Sequence, residues 1–263
     1  EEVPMKVLCF QPHNDDCAIA IGGTMQKMLR QGWELTYVYV TDGRHGSDVV
    51  PPEELIGIRR GEAAEERRLL GIHHFVELGV EDGSLGKLRG QQLGSVKQRI
   101  ASTLASKADL ILLPTRSDMH PDHRASHDLV VRVMEDMKLT PLLVKYSVWL
   151  FPDFYKKLPD VSERVLMVGI DREMTQKMAA IRLHQSQVSK GSFDSMVQTL
   201  NAYLAYAFRA PTTIGARYVE VIGLAGSGRR ARKTKQLLRA LEPCADVTDM
   251  FHGRPSQRIR ARL

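Results

Sequence analysis

The sequence has little that would cross-link it or carry it into a bilayer. It holds only three cysteines in 263 residues, Cys9, Cys17 and Cys244, too few and too scattered for a disulfide framework or a cysteine zinc cluster. No apolar run approaches the roughly 18 residues needed to cross a membrane. The first residues, Glu1-Glu2-Val3-Pro4, are acidic and lack the basic and apolar regions of a signal peptide, so a reducing, cytoplasmic setting is expected. No Gly-x-Gly-x-x-Gly follows the first predicted strand. His13-Asn14-Asp15-Asp16 instead puts acid where a pyrophosphate would need backbone amides, which argues against a nucleotide-binding or interaction module. What remains is ordinary for a globular chain, with 43% hydrophobic and 26% charged residues, and long enough to bury a sizeable core.

Excess charge is confined to one end. From Gly226 to Leu263 there are ten Lys/Arg against three Asp/Glu, a net +7 set against +6 for the whole chain, so the first 225 residues sum to about −1. Basicity belongs to the tail and not to the body, which argues against nucleic acid as the principal partner. We therefore expect one domain over residues 1–225 and a solvated, partly helical basic extension over 226–263.

Hydrophobic periodicity predicts strands over 5–10, 34–41, 74–78, 108–114, 142–150, 164–170 and 217–222. It predicts helices over 18–30, 52–70, 93–106, 127–137, 172–185 and 196–208. Strands alternating with helices over the first 150 residues indicate βαβ units, hence an α/β fold of Rossmann-like topology with a mostly parallel sheet. Such sheets bind ligands beyond the carboxyl ends of their strands.

Two polar clusters fall at such ends. Pro12-His13-Asn14-Asp15-Asp16-Cys17 follows the first strand, and Asp118-Met119-His120-Pro121-Asp122-His123-Arg124 follows the fourth. Histidine and aspartate bind zinc in catalytic sites, where three protein ligands leave one position for water. His13 and Asp16 lie three apart on one turn, and one imidazole of the second cluster would complete a His₂Asp set. Asp15 and the other histidine would then serve as general base and as oxyanion or leaving-group donor. Each motif has a plainer reading. A lone His-x-x-Asp also occurs as a hydrogen-bonded turn, and His-Pro-Asp-His as a helix start capped by Asp122. Two clusters, both at strand ends and jointly supplying ligands and catalytic groups, favour chemistry.

These motifs resemble those of the PIG-L/LmbE family of zinc-dependent N-deacetylases, which carry His-Pro-Asp-Asp after the first strand and His-x-Asp-His later. The resemblance spans most of residues 5–190. It includes Gly22-Gly23-Thr24, Thr41-Asp42-Gly43, Arg59-x-x-Glu62-Ala63, Asp82-Gly83 and His184-x-Ser186-Gln187. It implies that His13, Asp16 and His123 hold zinc, that Asp15 is the general base, and that His120 steadies the oxyanion or acts as acid. It also implies that Arg59, Asp82 and His184 are substrate-pocket residues. For Arg59 and Asp82 the plain alternative is a surface ion pair. Asn14 stands where the family has Pro, and Cys17 where it commonly has Glu. Cys17-Ala18-Ile19 resembles the diacetylchitobiose and antibiotic amino-sugar deacetylase branch, which hints at a glucosamine-type substrate. Cys17 itself is expected to pack at the helix start.

The implied reaction is hydrolysis of an N-acetyl group on an N-acetylglucosamine-type small-molecule glycoconjugate, giving acetate and a free amine. Another sugar N-acyl amide, long-chain or cysteinyl-linked, is the neighbouring alternative. Trp149, Phe151, Phe154 and Tyr155 are candidates for an aromatic wall. His45, His73, His74, His127 and His252 are not expected to be ligands. Relatives often associate, so homo-oligomerisation is open.

Overall fold

The computed structural model describes residues 3–149, 164–188, 191–225 and 231–248. The order begins β1 (Lys6–Gln11), α1 (Asp16–Arg30), β2 (Glu34–Thr41), α2 (Pro52–Leu70) and β3 (His74–Val80). A 3₁₀ turn at Leu85–Lys87 leads to α3 (Gly90–Leu104), β4 (Leu110–Pro114), α4 (Pro121–Asp136) and β5 (Leu142–Tyr146). Then come β6 (Arg164–Gly169), α5 (Met174–Arg182), α6 (Gln185–Val188), α7 (Phe193–Ala207), α8 (Ala210–Thr213), β7 (Val219–Ala225), α9 (Ala231–Ala240) and β8 (Cys244–Asp246).

The strands form one eight-stranded sheet in the order β3-β2-β1-β4-β5-β7-β6-β8. The first five are parallel, and β7, β6 and β8 complete the sheet in antiparallel pairs. Both faces are covered, which is why the parallel strands read as continuous apolar runs. Val7 and Cys9 of β1 join one core layer with Ile21 and Met25 of α1 and Met178 of α5. Leu8 and Phe10 point the other way, against Ile100 of α3 and Val130 of α4. The order β3-β2-β1-β4-β5 reverses direction between β1 and β4. Loops leaving the carboxyl ends of those two strands part there and open a crevice, and both polar clusters lie on those loops.

The Gly22-Gly23-Thr24 segment has a packing reason. Helix α1 breaks its regular geometry at Ile21 (φ −138°, ψ 22°), which frees amides from the i→i−4 ladder. Gly23 and Thr24 donate those N–H groups to the Glu220 carboxylate at 2.9 and 2.7 Å. The buried Lys177 ammonium lies 2.7 Å from the same carboxylate and balances its charge. A Cβ on Gly23 would sit 2.6 Å from Ile170, so only glycine permits this approach of α1 to the end of β6.

Two expectations need correction. The fold runs past residue 225: α9 buries Leu237, Leu241 follows it into the core, and β8 pairs with β6 as the sheet's last strand. Apolar side chains spaced along a basic helix, and not its charge, decide where that segment lies. Helix α4 begins at Pro121, earlier than the predicted 127. Proline fits a first helical position, and the His120 side chain caps the helix by accepting from the Asp122 N–H. Among the described residues no helix is long and apolar enough to cross a membrane.

Candidate active site

The β1–α1 turn and the β4–α4 loop bring the two clusters into contact. The His13 N–H donates to Asp16 Oδ2 at 2.7 Å, which fixes the turn and aims both side chains the same way. Asp16 Oδ2 lies 3.3 Å from His13 Nδ1 and 3.3 Å from His123 Nε2, and the two ring nitrogens are 3.2 Å apart. Donors about 2.0–2.1 Å from a tetrahedral zinc ion lie about 3.3–3.4 Å from one another. The three atoms therefore have the spacing of one face of a tetrahedral metal site, with neutral nitrogen and anionic oxygen donors of the kinds zinc takes. His120 also lies near, since ring atoms of His13, His120 and His123 fall within 4.8 Å of one another. Asp16 is the better third donor, because the Asp122 N–H already occupies His120 Nδ1 at 3.2 Å.

Carboxylates back both histidines. Asp82 Oδ1 lies 3.1 Å from His13 Nε2, and Asp118 Oδ1 lies 3.1 Å from His123 Nδ1. Outer carboxylates of this kind fix a ligand's tautomer and orientation. Burial alone would lower the His13 pKa, but Asp16 and then Asp82 reverse this and push it up to about 10. Burial also opposes protonation of His123, and Asp16 with Asp118 raises it to about 9. Asp16 is held well below the usual carboxylate range: burial opposes this, and His123 and His13 outweigh it. The site thus demands positive charge, which protons supply when no metal is bound.

A pH dependence follows. Folded pKa values raised above the unfolded ~6.5 stabilise the metal-free protein fully below that value. The contribution is lost as pH rises through about 9 and 10. Zinc requires the coordinating nitrogens deprotonated, so its binding releases protons and strengthens over the same window. The Tm difference between zinc-loaded and chelator-treated protein should therefore widen from pH 6 to 8.5. A difference constant over that range in scanning calorimetry would count against this charge balance.

The remaining groups surround a cavity of 620 Å³ lined by His13, Asp15, Asp16, Arg59, Asp82 and His120, among others. The Asp15 carboxylate makes no cap bond to α1 and accepts from Arg59 Nη2 at 2.7 Å through Oδ1. Burial lowers the His120 pKa, as do His13 and His123. With Nδ1 accepting from the backbone, its neutral ring carries the proton on Nε2. His120 is therefore a hydrogen-bond donor without needing to be charged.

The sequence-based substrate residues part company here. Arg59 and Asp82 are not paired with each other: the first holds Asp15 and the second holds His13. Asp82 and Arg59 line the cavity, whereas His184 is buried at 1% exposure and lies 2.8 Å from Glu66. It reaches the site only indirectly, since Ser186 and the neighbouring Gln187, which does line the cavity, follow it on α6. Trp149 stands at the rim with Phe193, ring centroids 5.7 Å apart. Phe151, Phe154 and Tyr155 lie outside the described residues. Cys17 is buried against the Tyr146 hydroxyl, a packing position. Sequence reasoning missed roles for Asp118, Asp122, Lys87 and Phe193. Asp118 and Asp122 stood inside the cluster it quoted, but nothing in their spacing names their partners.

Similarity to known proteins extends over most of the chain. Residues 8–134 match the family described as PIG-L: GlcNAc-PI de-N-acetylase. Diacetylchitobiose deacetylase of Thermococcus kodakarensis is 27% identical over 231 residues, 82% of each chain. The probable N-acetyl-alpha-D-glucosaminyl L-malate deacetylase 2 of Bacillus cereus is 27% identical over 190 residues, 69% of this chain and 83% of that one. The structure of N,N'-diacetylchitobiose deacetylase from Pyrococcus horikoshii superposes with a TM-score of 0.65 at 27% identity, covering 88% of this chain and 86% of that one.

Proposed function

We propose that the chain is an N-deacetylase related to the PIG-L family, and that it removes the acetyl group from an N-acetylglucosamine-type sugar on a small glycoconjugate with zinc as its metal. The observation that carries the reading is the triangle of His13 Nδ1, Asp16 Oδ2 and His123 Nε2, with edges of 3.2–3.3 Å, beside the Arg59-held Asp15 carboxylate and a neutral imidazole donor. When bound, zinc polarises an acyl oxygen and makes water acidic enough, near pH ~7, to act as a nucleophile.

The chain's own groups supply the rest. Asp15, held by Arg59, takes a proton from the attacking water as its oxygen bonds the acetyl carbon. His120 donates from Nε2 to the oxygen on which charge develops. The carbon–nitrogen bond then breaks, a proton goes to the amine, and acetate and the free amino sugar leave. The cavity lining combines apolar side chains (Ile19, Val148, Trp149, Phe193) with polar ones (His45, Arg59, Asp82, Lys87, Gln187). This suits a ring with one apolar face and a hydroxyl-bearing edge.

The test is acetate release from N-acetylglucosamine, N,N'-diacetylchitobiose and N-acetylglucosaminides bearing malate or inositol, with zinc-loaded and chelator-treated protein. Release from at least one of them, abolished by the chelator and restored by zinc, is expected. Zinc-loaded protein that releases acetate from none would overturn the reading.

A further inference from the structure

We propose that Asp118 is the positioning residue that orients His123 toward zinc and ties that ligand to the apolar wall of the substrate cavity. Its side chain is fully buried, yet four donors hydrogen-bond to it and the His123 ring lies against it. Oδ1 accepts from the His120 N–H at 3.0 Å and lies 3.1 Å from His123 Nδ1. Oδ2 accepts from Ser147 Oγ at 2.9 Å, from the Val148 N–H at 3.0 Å and from the Trp149 N–H at 3.4 Å. An ionised carboxylate only accepts, so this environment suits no other side chain of the same shape.

Each oxygen has its own consequence. Oδ1 keeps the His123 ring proton on Nδ1 and thereby leaves the lone pair on Nε2, the atom that completes the triangle with Asp16 and His13. Oδ2 anchors the segment after β5, where Val148 and Trp149 line the cavity. Asp82 plays a parallel part for His13, its Oδ2 accepting from the N–H of the cavity residue His45 at 3.1 Å. Asp118 joins the ligand loop after β4 to the cavity segment after β5, 30 residues further along the chain.

The inference rests on the zinc reading above, and the test separates the two. In Asp118→Asn, an amide nitrogen in place of Oδ1 would make His123 Nδ1 an acceptor and put the ring proton on Nε2, where it blocks the ion. The same nitrogen in place of Oδ2 would face two backbone N–H groups. Zinc affinity, measured by competition with a chromophoric chelator, should fall ~10–100-fold, and KM should rise. Ser147→Ala leaves both Oδ1 contacts, so it should raise KM while keeping wild-type zinc affinity. Should Asp118→Asn fail to show a folded near-UV CD spectrum, Asp118→Glu takes its place with the same expectation, because one extra methylene displaces the carboxylate.

Wild-type zinc affinity in the Asp118 variant overturns the proposal. So does equal zinc loss in Ser147→Ala, which would assign the effect to loop packing. A wild-type chain that binds zinc but releases no acetate overturns the substrate reading alone, because the affinity comparison still decides this one. A wild-type chain that binds no zinc overturns both.

Discussion

His13→Ala, Asp16→Ala and His123→Ala should each lose stoichiometric zinc, and turnover should fall with it. A Lewis acid contributes several kcal/mol of transition-state charge stabilisation. At ~4 kcal/mol that is about a thousandfold in rate. The cause is geometric. The three donor atoms stand 3.2–3.3 Å apart, and removing any one leaves two, too few to hold the ion against water. Asp16→Ala should also be the least stable metal-free variant. Its carboxylate is the shared counter-charge of two buried histidines, and breaking such a pair costs ~3–5 kcal/mol. Elemental analysis with thermal melts checks both statements. His120→Ala supplies the contrast, because His120 also lies within reach of the other two rings. If His120→Ala loses zinc while Asp16→Ala keeps it, the ligand set is His13, His120 and His123 instead.

Local chemistry made some elements readable to the residue. Strand β2 and helix α2 occupy the predicted 34–41 and 52–70, because Pro52 opens α2 and Gly71, at φ 73°, closes it. Alternation of elements placed both clusters at the same edge of a parallel sheet, where they could meet; that β1 and β4 are neighbours is set by the strand order, which alternation does not give. The start of α4 was legible only as the alternative helix start at His-Pro-Asp-His, and its cap is the His120 ring accepting from a backbone amide, not Asp122. The place of the basic segment was misread because its charge outweighs Leu237 and Leu241 in any composition count, although burial of those leucines decides where it packs. The roles of Asp118 and Asp122 were hidden for a different reason. Asp118 meets the segment after β5, and Asp122 accepts from the Gly83 N–H, 39 residues away. Such partners are set by topology and leave no periodic trace. His184 shows the limit of a motif match: its ring faces Glu66 in the interior.

Asp15→Asn should keep its zinc and lose ~10²–10⁴-fold in kcat. The side chain lies outside the donor triangle, so the substitution removes no ligand. It is also nearly isosteric, and the amide oxygen can still accept from Arg59 Nη2, the bond that now holds Oδ1 at 2.7 Å. What disappears is the capacity to take a proton, because an amide is not a base at any pH at which the protein folds. Arg59 would then stand buried, at 2% exposure, without its anion. Some stability should be lost, of order 1–3 kcal/mol for a weakened charged hydrogen bond, and this is the reason to measure zinc and folding beside the rate. Arg59→Lys separates holding from catalysis: a lysine keeps the charge but not the planar fork, so kcat should fall less than in Asp15→Asn while zinc is retained. Near-wild-type kcat in Asp15→Asn, with zinc bound, would remove Asp15 from the mechanism and leave deprotonation of the water to solvent.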